Sequence, residues 1–234
     1  MMEDLRVLSL ERTPHRLELF HSRNPHVPCV VQTAVDGQTV DRLRYPSLKH
    51  SDGALGCLLS HMAFWDEVIE AGRPMTIFED DAIVHLSFMG AHRKVLESLP
   101  KDWDIILWGW NFNALLMFDM VPGAWGGMQC ELGELRRHID RYQNCRLAAN
   151  ASKLYRAWGT VGYAISPSGA KFLRRQDAIT QDVVIQFPDM GETQVLNVGV
   201  DVMMNAFYPM MNAFVCIPPL VVTTMDDSTI GPTA

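Results

Sequence analysis

No apolar run in the 234 residues approaches the roughly twenty that cross a bilayer. The opening Met1-Met2-Glu3-Asp4-Leu5-Arg6 lacks the basic-then-apolar order of a signal peptide, so the expectation is a cytoplasmic protein without a transmembrane segment. Cysteine is sparse: Cys29, Cys57, Cys130, Cys145 and Cys216 are scattered and odd in number, with no Cys-x-x-Cys pair for zinc or redox chemistry. Positive charge is also short, 20 Lys and Arg against 27 Asp and Glu, for a net charge of −7. That balance gives no general attraction for nucleic acid or anionic lipid, and any anionic ligand must be met by a local site. Internal repeats and low-complexity segments are missing too.

What is present is an ordinary globular composition, 48% hydrophobic, long enough for one substantial core. A single domain over residues 1–234 is expected. Its focal stretch is Pro74-Met75-Thr76-Ile77-Phe78-Glu79-Asp80-Asp81-Ala82-Ile83. Three carboxylates follow a short apolar run, and apolar sequence resumes at once. Unpaired negative charge held inside the hydrophobic pattern is costly, so something positive should stand there. A divalent cation bridging to a phosphorylated ligand meets that demand, because hard oxygen ligands suit Mg²⁺ or Mn²⁺. An acidic turn neutralised by a nearby Arg or Lys meets it equally well.

Around this stretch the pattern alternates strands and helices, which predicts an α/β fold. Residues 5–10 read as a first strand and 14–22 as a helix opened by Pro14. A second apolar run, 27–35, stops at the Asp36-Gly37 turn. Ser51 and Asp52 offer caps for a helix running to Ala71 and closed by Gly72 and Pro74. Leu55, Leu58, Met62, Trp65 and Ile69 form its buried stripe. Ser60 and His61 lie mid-helix, either as site residues or as satisfied structural side chains. Ser87 is read as the cap of a helix ending before Pro100, and 105–108 as an inner strand. From 111 to 157 the periodicity deteriorates apart from one short helix at 131–142, and the segment reads as a lid or acceptor-binding rim. A glycine-bearing strand at 158–165 follows, then a helix from Ser166-Pro167 with Ala170, Phe172 and Leu173 inward, and a helix at 200–208 carrying Asp201 at its head. Asp201 there is either a functional carboxylate or a helix-dipole acid. A last strand, 214–223, spans Pro218-Pro219.

In this order the chain resembles glycosyltransferase family 25, the lipopolysaccharide and collagen-type galactosyltransferase family. The resemblance runs through Leu10-Glu11-Arg12 with Arg16, Ala34-Val35-Asp36-Gly37, Leu55-Gly56-Cys57 with Ser60-His61, and Phe78-Glu79-Asp80-Asp81. It continues through Trp103-Asp104-Ile105-Ile106, Gly159-Thr160 with Gly162-Tyr163, Ser166 with Gly169-Ala170, and Val200-Asp201. Residues 111–157 match no family motif, and Asp201 lacks the usual preceding proline.

The resemblance implies a GT-A type, Rossmann-like nucleotide-diphospho-sugar transferase fold with a central mostly parallel sheet. It further implies a UDP-sugar donor, typically UDP-galactose, a glycan or lipid-linked saccharide acceptor, Mn²⁺ (or Mg²⁺), and inversion. Glu79 and Asp81 then take the metal-binding places of the Asp-x-Asp signature. On an extended chain residues two apart point the same way, so Asp80 turns toward ribose or a structural partner. Leu10, Glu11, Arg12, Asp36, Ser60, His61 and Asp80 fall at donor-binding positions, and Asp201 at that of the catalytic base, with Asp177 and Asp182 as competing carboxylates in a polar stretch. Two rivals remain: a metal-dependent phosphohydrolase, which also clusters acids, and a nucleotide-sugar or glycan-binding module without turnover.

Overall fold

The computed structural model describes residues 4–181, 183–191 and 193–225. The first half alternates as expected: β1 (Asp4–Ser9), α1 (Pro14–Arg23), β2 (Val30–Thr33), α2 (Asp52–Ala71), β3 (Met75–Glu79), β4 (Ala82–Val84), α3 (Phe88–Ser98) and β5 (Ile105–Gly109). Next come β6 (Leu116–Val121), β7 (Ala124–Met128), α4 (Leu132–Arg137), α5 (Ile139–Asn144), β8 (Asn150–Arg156), β9 (Gly162–Ile165) and α6 (Pro167–Arg174). The last elements are β10 (Val184–Phe187), β11 (Thr193–Leu196), α7 (Val200–Phe207), β12 (Ala213–Ile217) and β13 (Val221–Thr223).

Nine strands form one sheet in the order β2-β1-β3-β9-β5-β12-β8-β6-β7. Over the first six of these, β2, β1, β3, β5 and β12 share one direction and β9 alone runs against them. Successive side chains in a strand face opposite ways, and the core divides accordingly. Leu8, Ile77, Ile105, Leu107, Tyr163 and Val215 pack with α2, α6 and α7 on one face. Leu5, Val7, Phe78, Ile106, Trp108 and Ala164 pack with α1 and α3 on the other. The apolar run at 105–108 is therefore buried on both sides, as its composition predicted.

Helix ends follow their local chemistry. Ser51 Oγ accepts the Ala54 amide at 3.2 Å, and Gly72 ends α2 at φ 66°, a left-handed conformation suited to glycine. Ser166 Oγ accepts the Gly169 amide ahead of Pro167, as expected. Ser87 makes no such bond to α3; its hydroxyl lies 2.8 Å from His85 Nδ1 instead.

Several expectations need correction. The segment 111–157 is not irregular: β6, β7 and β8 extend the sheet as antiparallel strands. Its pattern misled because β7 is an exposed edge strand containing Gly126 and Gly127, so no apolar alternation marks it. The single helix expected at 131–142 is two short ones parted at His138. The apolar run 27–35 yields only the four-residue β2. The strand expected at 158–165 begins at Gly162, and the one at 214–223 breaks into β12 and β13 around Pro218 and Pro219. Phe172 is half-buried, its ring edge on Phe207. Asp182 and the tail from Asp226 lie outside the described residues.

Candidate active site

The site forms where strand ends meet. The loops leaving β1, β2, β3 and β5 gather at one edge of the sheet, because these strands are parallel. β9 is antiparallel to β3 and β5, so its preceding loop, Trp158-Gly159-Thr160-Val161, arrives at that same edge. The Glu79 amide donates to Val161 O at 3.1 Å and holds the two together.

Two adjoining cavities open here. Leu10, Arg12, Arg16, Val35, Ser60 and Asp80 line the first. Asn111, Trp158, Gly159, Thr160, Asp201 and Thr223 line the second. Cys57, Glu79 and Asp81 line both, and so form the shared wall.

The acidic triplet divides as expected, but through a turn rather than an extended strand: Glu79 ends β3, and Asp80 and Asp81 form the turn before β4. Asp80 turns to α1, where Arg16 Nε donates to its Oδ1 at 2.7 Å and Arg16 Nη2 stands 2.5 Å from the same oxygen. Arg16 Nη2 is 4.0 Å from Asp81 Oδ2, too far for a hydrogen bond. One arginine cannot balance three carboxylates. Glu79 accepts a hydrogen bond from Thr160 Oγ1, and Asp81 Oδ2 accepts one from Thr223 Oγ1 at 3.1 Å. Asp81 Oδ1 is buried with no hydrogen-bond partner among the described residues.

The electrostatics follow from this crowding. Burial, then the charge of Glu79, raises the Asp81 pKa to about 7, with Arg16 and Thr223 opposing. Burial also pushes Glu79 upward, but His61, Thr160 and Arg16 together bring it below the ordinary carboxylate value. Glu79 thus holds the negative charge, and Asp81 holds a proton near neutrality. A divalent cation would relieve that repulsion and give Asp81 Oδ1 a partner, so this donor set fits a hard cation.

The other predicted residues take definite places. Leu10 and Arg12 reach the first cavity, and Arg12 Nε pairs with Asp36 Oδ2 at 2.8 Å on its rim. Asp36 Oδ1 accepts the Gln38 amide, so this acid also caps a short turn. Glu11 is exposed and lines neither cavity. Ser60 lines the first cavity, yet its hydroxyl donates to Gly56 O at 2.6 Å and accepts the Val35 amide at 2.8 Å. It thereby ties α2 to the loop after β2.

His61, expected to line the donor pocket, lines neither cavity. It is fully enclosed behind Glu79, its Nδ1 2.9 Å from Tyr163 Oη and its Nε2 3.8 Å from Glu79 Oε1. Tyr163 Oη also accepts from Trp65 Nε1 at 2.9 Å. The sequence placed His61 beside the acids but could not reveal that α2 turns it inward.

Asp201 enters the second cavity from the second residue of α7; Gly199 holds the N-cap place, and no side-chain cap bond forms. Its Oδ2 accepts the Gly159 amide at 3.0 Å. Burial raises its pKa, the Gly159 and Val202 amides opposing and the Glu79 charge adding. Asp177 is exposed on a short turn and lines neither cavity.

Sequence reasoning assigned no site role to Cys57, Thr160, Trp158 or Thr223. Two signals were available for the first two: Cys57 and His61 stand four apart on one helix face, and Thr160 sits between glycines that allow close backbone approach. Thr223 carries no local signal.

An acid-tipped strand facing a crevice at the carboxyl edge of the sheet makes this an α/β protein with its crevice where such folds commonly place their ligand sites. Residues 2–184 match the model of Glycosyltransferase family 25 (LPS biosynthesis protein), and the chain belongs to that family. A procollagen galactosyltransferase 1 from Danio rerio is 24% identical over 174 residues, 65% of this chain and 25% of that protein. A probable inactive glycosyltransferase 25 family member 3 from Rattus norvegicus is 31% identical over 135 residues, 46% of this chain and 22% of that protein. The chain thus spans about a quarter of the length of the curated relatives it matches. Among solved structures, a mannose-1-phosphate geranyltransferase from Thermus thermophilus is 12% identical with a TM-score of 0.42, covering 95% of this chain and 74% of that one.

Proposed function

We propose that this chain is a metal-dependent inverting glycosyltransferase that moves a sugar, galactose by the family's habit, from a UDP-sugar to a hydroxyl group of a glycan or lipid-linked saccharide. The observation that carries the reading is the Glu79–Asp81 pair on the wall between the two cavities, with Asp81 Oδ1 lacking a partner among the described residues. Glu79 and Asp81 would hold Mn²⁺ or Mg²⁺. Such a cation supplies Lewis-acid stabilisation of a departing diphosphate.

The protein's own groups divide the remaining work. Arg12 and Arg16 bring positive charge to the first cavity, where a nucleotide's phosphates would lie. Asp201 stands in the second cavity, across the carboxylate wall, where an acceptor would enter. Its role is to take the proton from the acceptor hydroxyl at a carboxylate oxygen as that hydroxyl attacks. A carboxylate whose pKa is raised by burial is a stronger base than an exposed one.

The relatives named as inactive favour a second reading, a donor-binding module without turnover. One assay separates them. With Mn²⁺ and a panel of UDP-sugars, a transferase is expected to hydrolyse one donor slowly and to transfer it when saccharide acceptors are added. Tight, metal-dependent UDP-sugar binding without turnover of any donor would leave only the module, and phosphate release from many unrelated esters would mean a phosphohydrolase.

A further inference from the structure

A second cluster of potential ligands lies behind the carboxylate wall. Cys57 and His61 stand four residues apart on one face of α2, and Glu79 meets them from the end of β3. Cys57 Sγ, His61 Nε2 and a Glu79 oxygen lie within 4.8 Å of one another. Cys57 forms no disulfide, and His61 Nε2 is buried with no hydrogen-bond partner among the described residues. His61 is 0% exposed, so water cannot serve this nitrogen from the surface. His61 Nε2 faces the Glu79 carboxylate across 3.8 Å, too far for a hydrogen bond, so the electrostatic contact leaves this buried nitrogen without a donor or acceptor partner that an ion between the two groups would supply.

We propose that Cys57, His61 and Glu79 form a binding site for a thiophilic divalent cation of the Zn²⁺ class, separate in chemistry from the hard-cation pair Glu79–Asp81 but sharing Glu79 with it. Thiolate and imidazole ligands select zinc-like ions over Mn²⁺ and Mg²⁺. Zinc bonds of about 2.0–2.3 Å set ligand atoms roughly 3.5 Å apart in a tetrahedron, so side-chain shifts that close the separations by up to about 1.3 Å complete the cluster. Tyr163 Oη, 2.9 Å from His61 Nδ1, accepts a hydrogen bond from Nδ1–H when Nε2 is the ligand, the outer contact that orients metal-bound histidines. Cys57 and Glu79 both border the cavities, so the fourth position of the cation faces the crevice. Binding replaces the thiol proton of Cys57, which leaves to solvent. Because the two sites share Glu79, the soft ion is expected to weaken binding of the hard one; this consequence rests on the proposed function, whereas the site itself does not.

Co²⁺ is the probe, because a thiolate bound to it gives a near-ultraviolet charge-transfer band. The folded wild-type protein titrated with Co²⁺ should show that band at one equivalent, and Zn²⁺ should abolish it. Cys57→Ser should lose the band, His61→Ala should weaken Co²⁺ binding at least about tenfold, and Asp81→Asn should keep the band. In the unmutated protein, saturating Zn²⁺ should slow iodoacetamide labelling of Cys57 at least about tenfold, as metal-held thiolates are shielded, with Cys145 labelling unchanged. A band retained in Cys57→Ser, no band in the wild type, or undiminished Cys57 labelling under Zn²⁺ each overturns the site. None of these readings requires sugar transfer, so failure of the enzyme reading and failure of the metal site remain distinguishable.

Discussion

Glu79, Asp80 and Asp81 are consecutive and acidic, yet each has a different electrostatic life. Asp80 is neutralised by Arg16, Glu79 is held ionised by His61, Thr160 and Arg16, and Asp81 is left with a proton near neutrality. That Asp80 parts from the other two was legible in the sequence, as was the acids' need for a positive partner, but a turn and not an extended strand makes the division. Arg16 was visible as a family residue, but its pairing with Asp80 required α1 to be folded back beside β3. Asp201 illustrates the converse. Its position at the head of a helix was readable, but its bond to the Gly159 amide joins residues 42 apart and has no local signature. If Asp201 is the base, Asp201→Asn should lower kcat for transfer by at least about a hundredfold while UDP-sugar affinity stays within about twofold. Transfer at near wild-type rate in steady-state assays would return the residue to a structural part.

At the scale of elements, α2 was the most legible piece, because Ser51, Gly72 and the stripe from Leu55 to Ile69 state its ends and its buried side. What positions it was harder to see. A β-carbon on Gly56 would stand 2.5 Å from Val35 O and 2.7 Å from the Gly37 amide nitrogen, so two glycines let α2 press directly on the loop that carries Asp36. Both neighbours are backbone and cannot swing aside. Gly56→Ala should therefore destabilise the fold by about 1–3 kcal/mol in urea titrations, despite alanine's better helix propensity. An unchanged or higher midpoint would mean that the loop relaxes freely. The edge strands β7 and β11 escaped the sequence for a shared reason. Neither holds a fully buried side chain, so tertiary pairing rather than hydrophobic period defines them.

At the scale of the whole molecule, the buried acids make stability depend on pH in an unusual sense. Asp81 has a folded pKa of about 7, above its ordinary value of 3.8, so the native state binds the extra proton between those limits. Stability from this group is fully present below about pH 4 and is lost as pH rises toward 7. In EDTA, Asp81→Asn removes that loss. Its unfolding free energy relative to wild type should climb steadily from pH 4 to pH 7, by an amount on the order of 2 kcal/mol or more, with a matching rise in relative melting temperature. A difference that stays flat across this range in calorimetry would refute the proton assignment. Added Mn²⁺ should shrink the difference by favouring ionised Asp81 in the wild type.

The antiparallel entry of β9 has a mechanical consequence. Adjacent residues, Gly159 and Thr160, hold Asp201 and Glu79 respectively, so one short stretch of backbone is fastened to both sides of the crevice. A carboxylate on either side cannot shift far without pulling on the other through a single peptide unit. An occupant that displaces Glu79 or Asp201 in one cavity is therefore expected to change the free energy of filling the other, and by thermodynamic reciprocity the influence is equal in both directions.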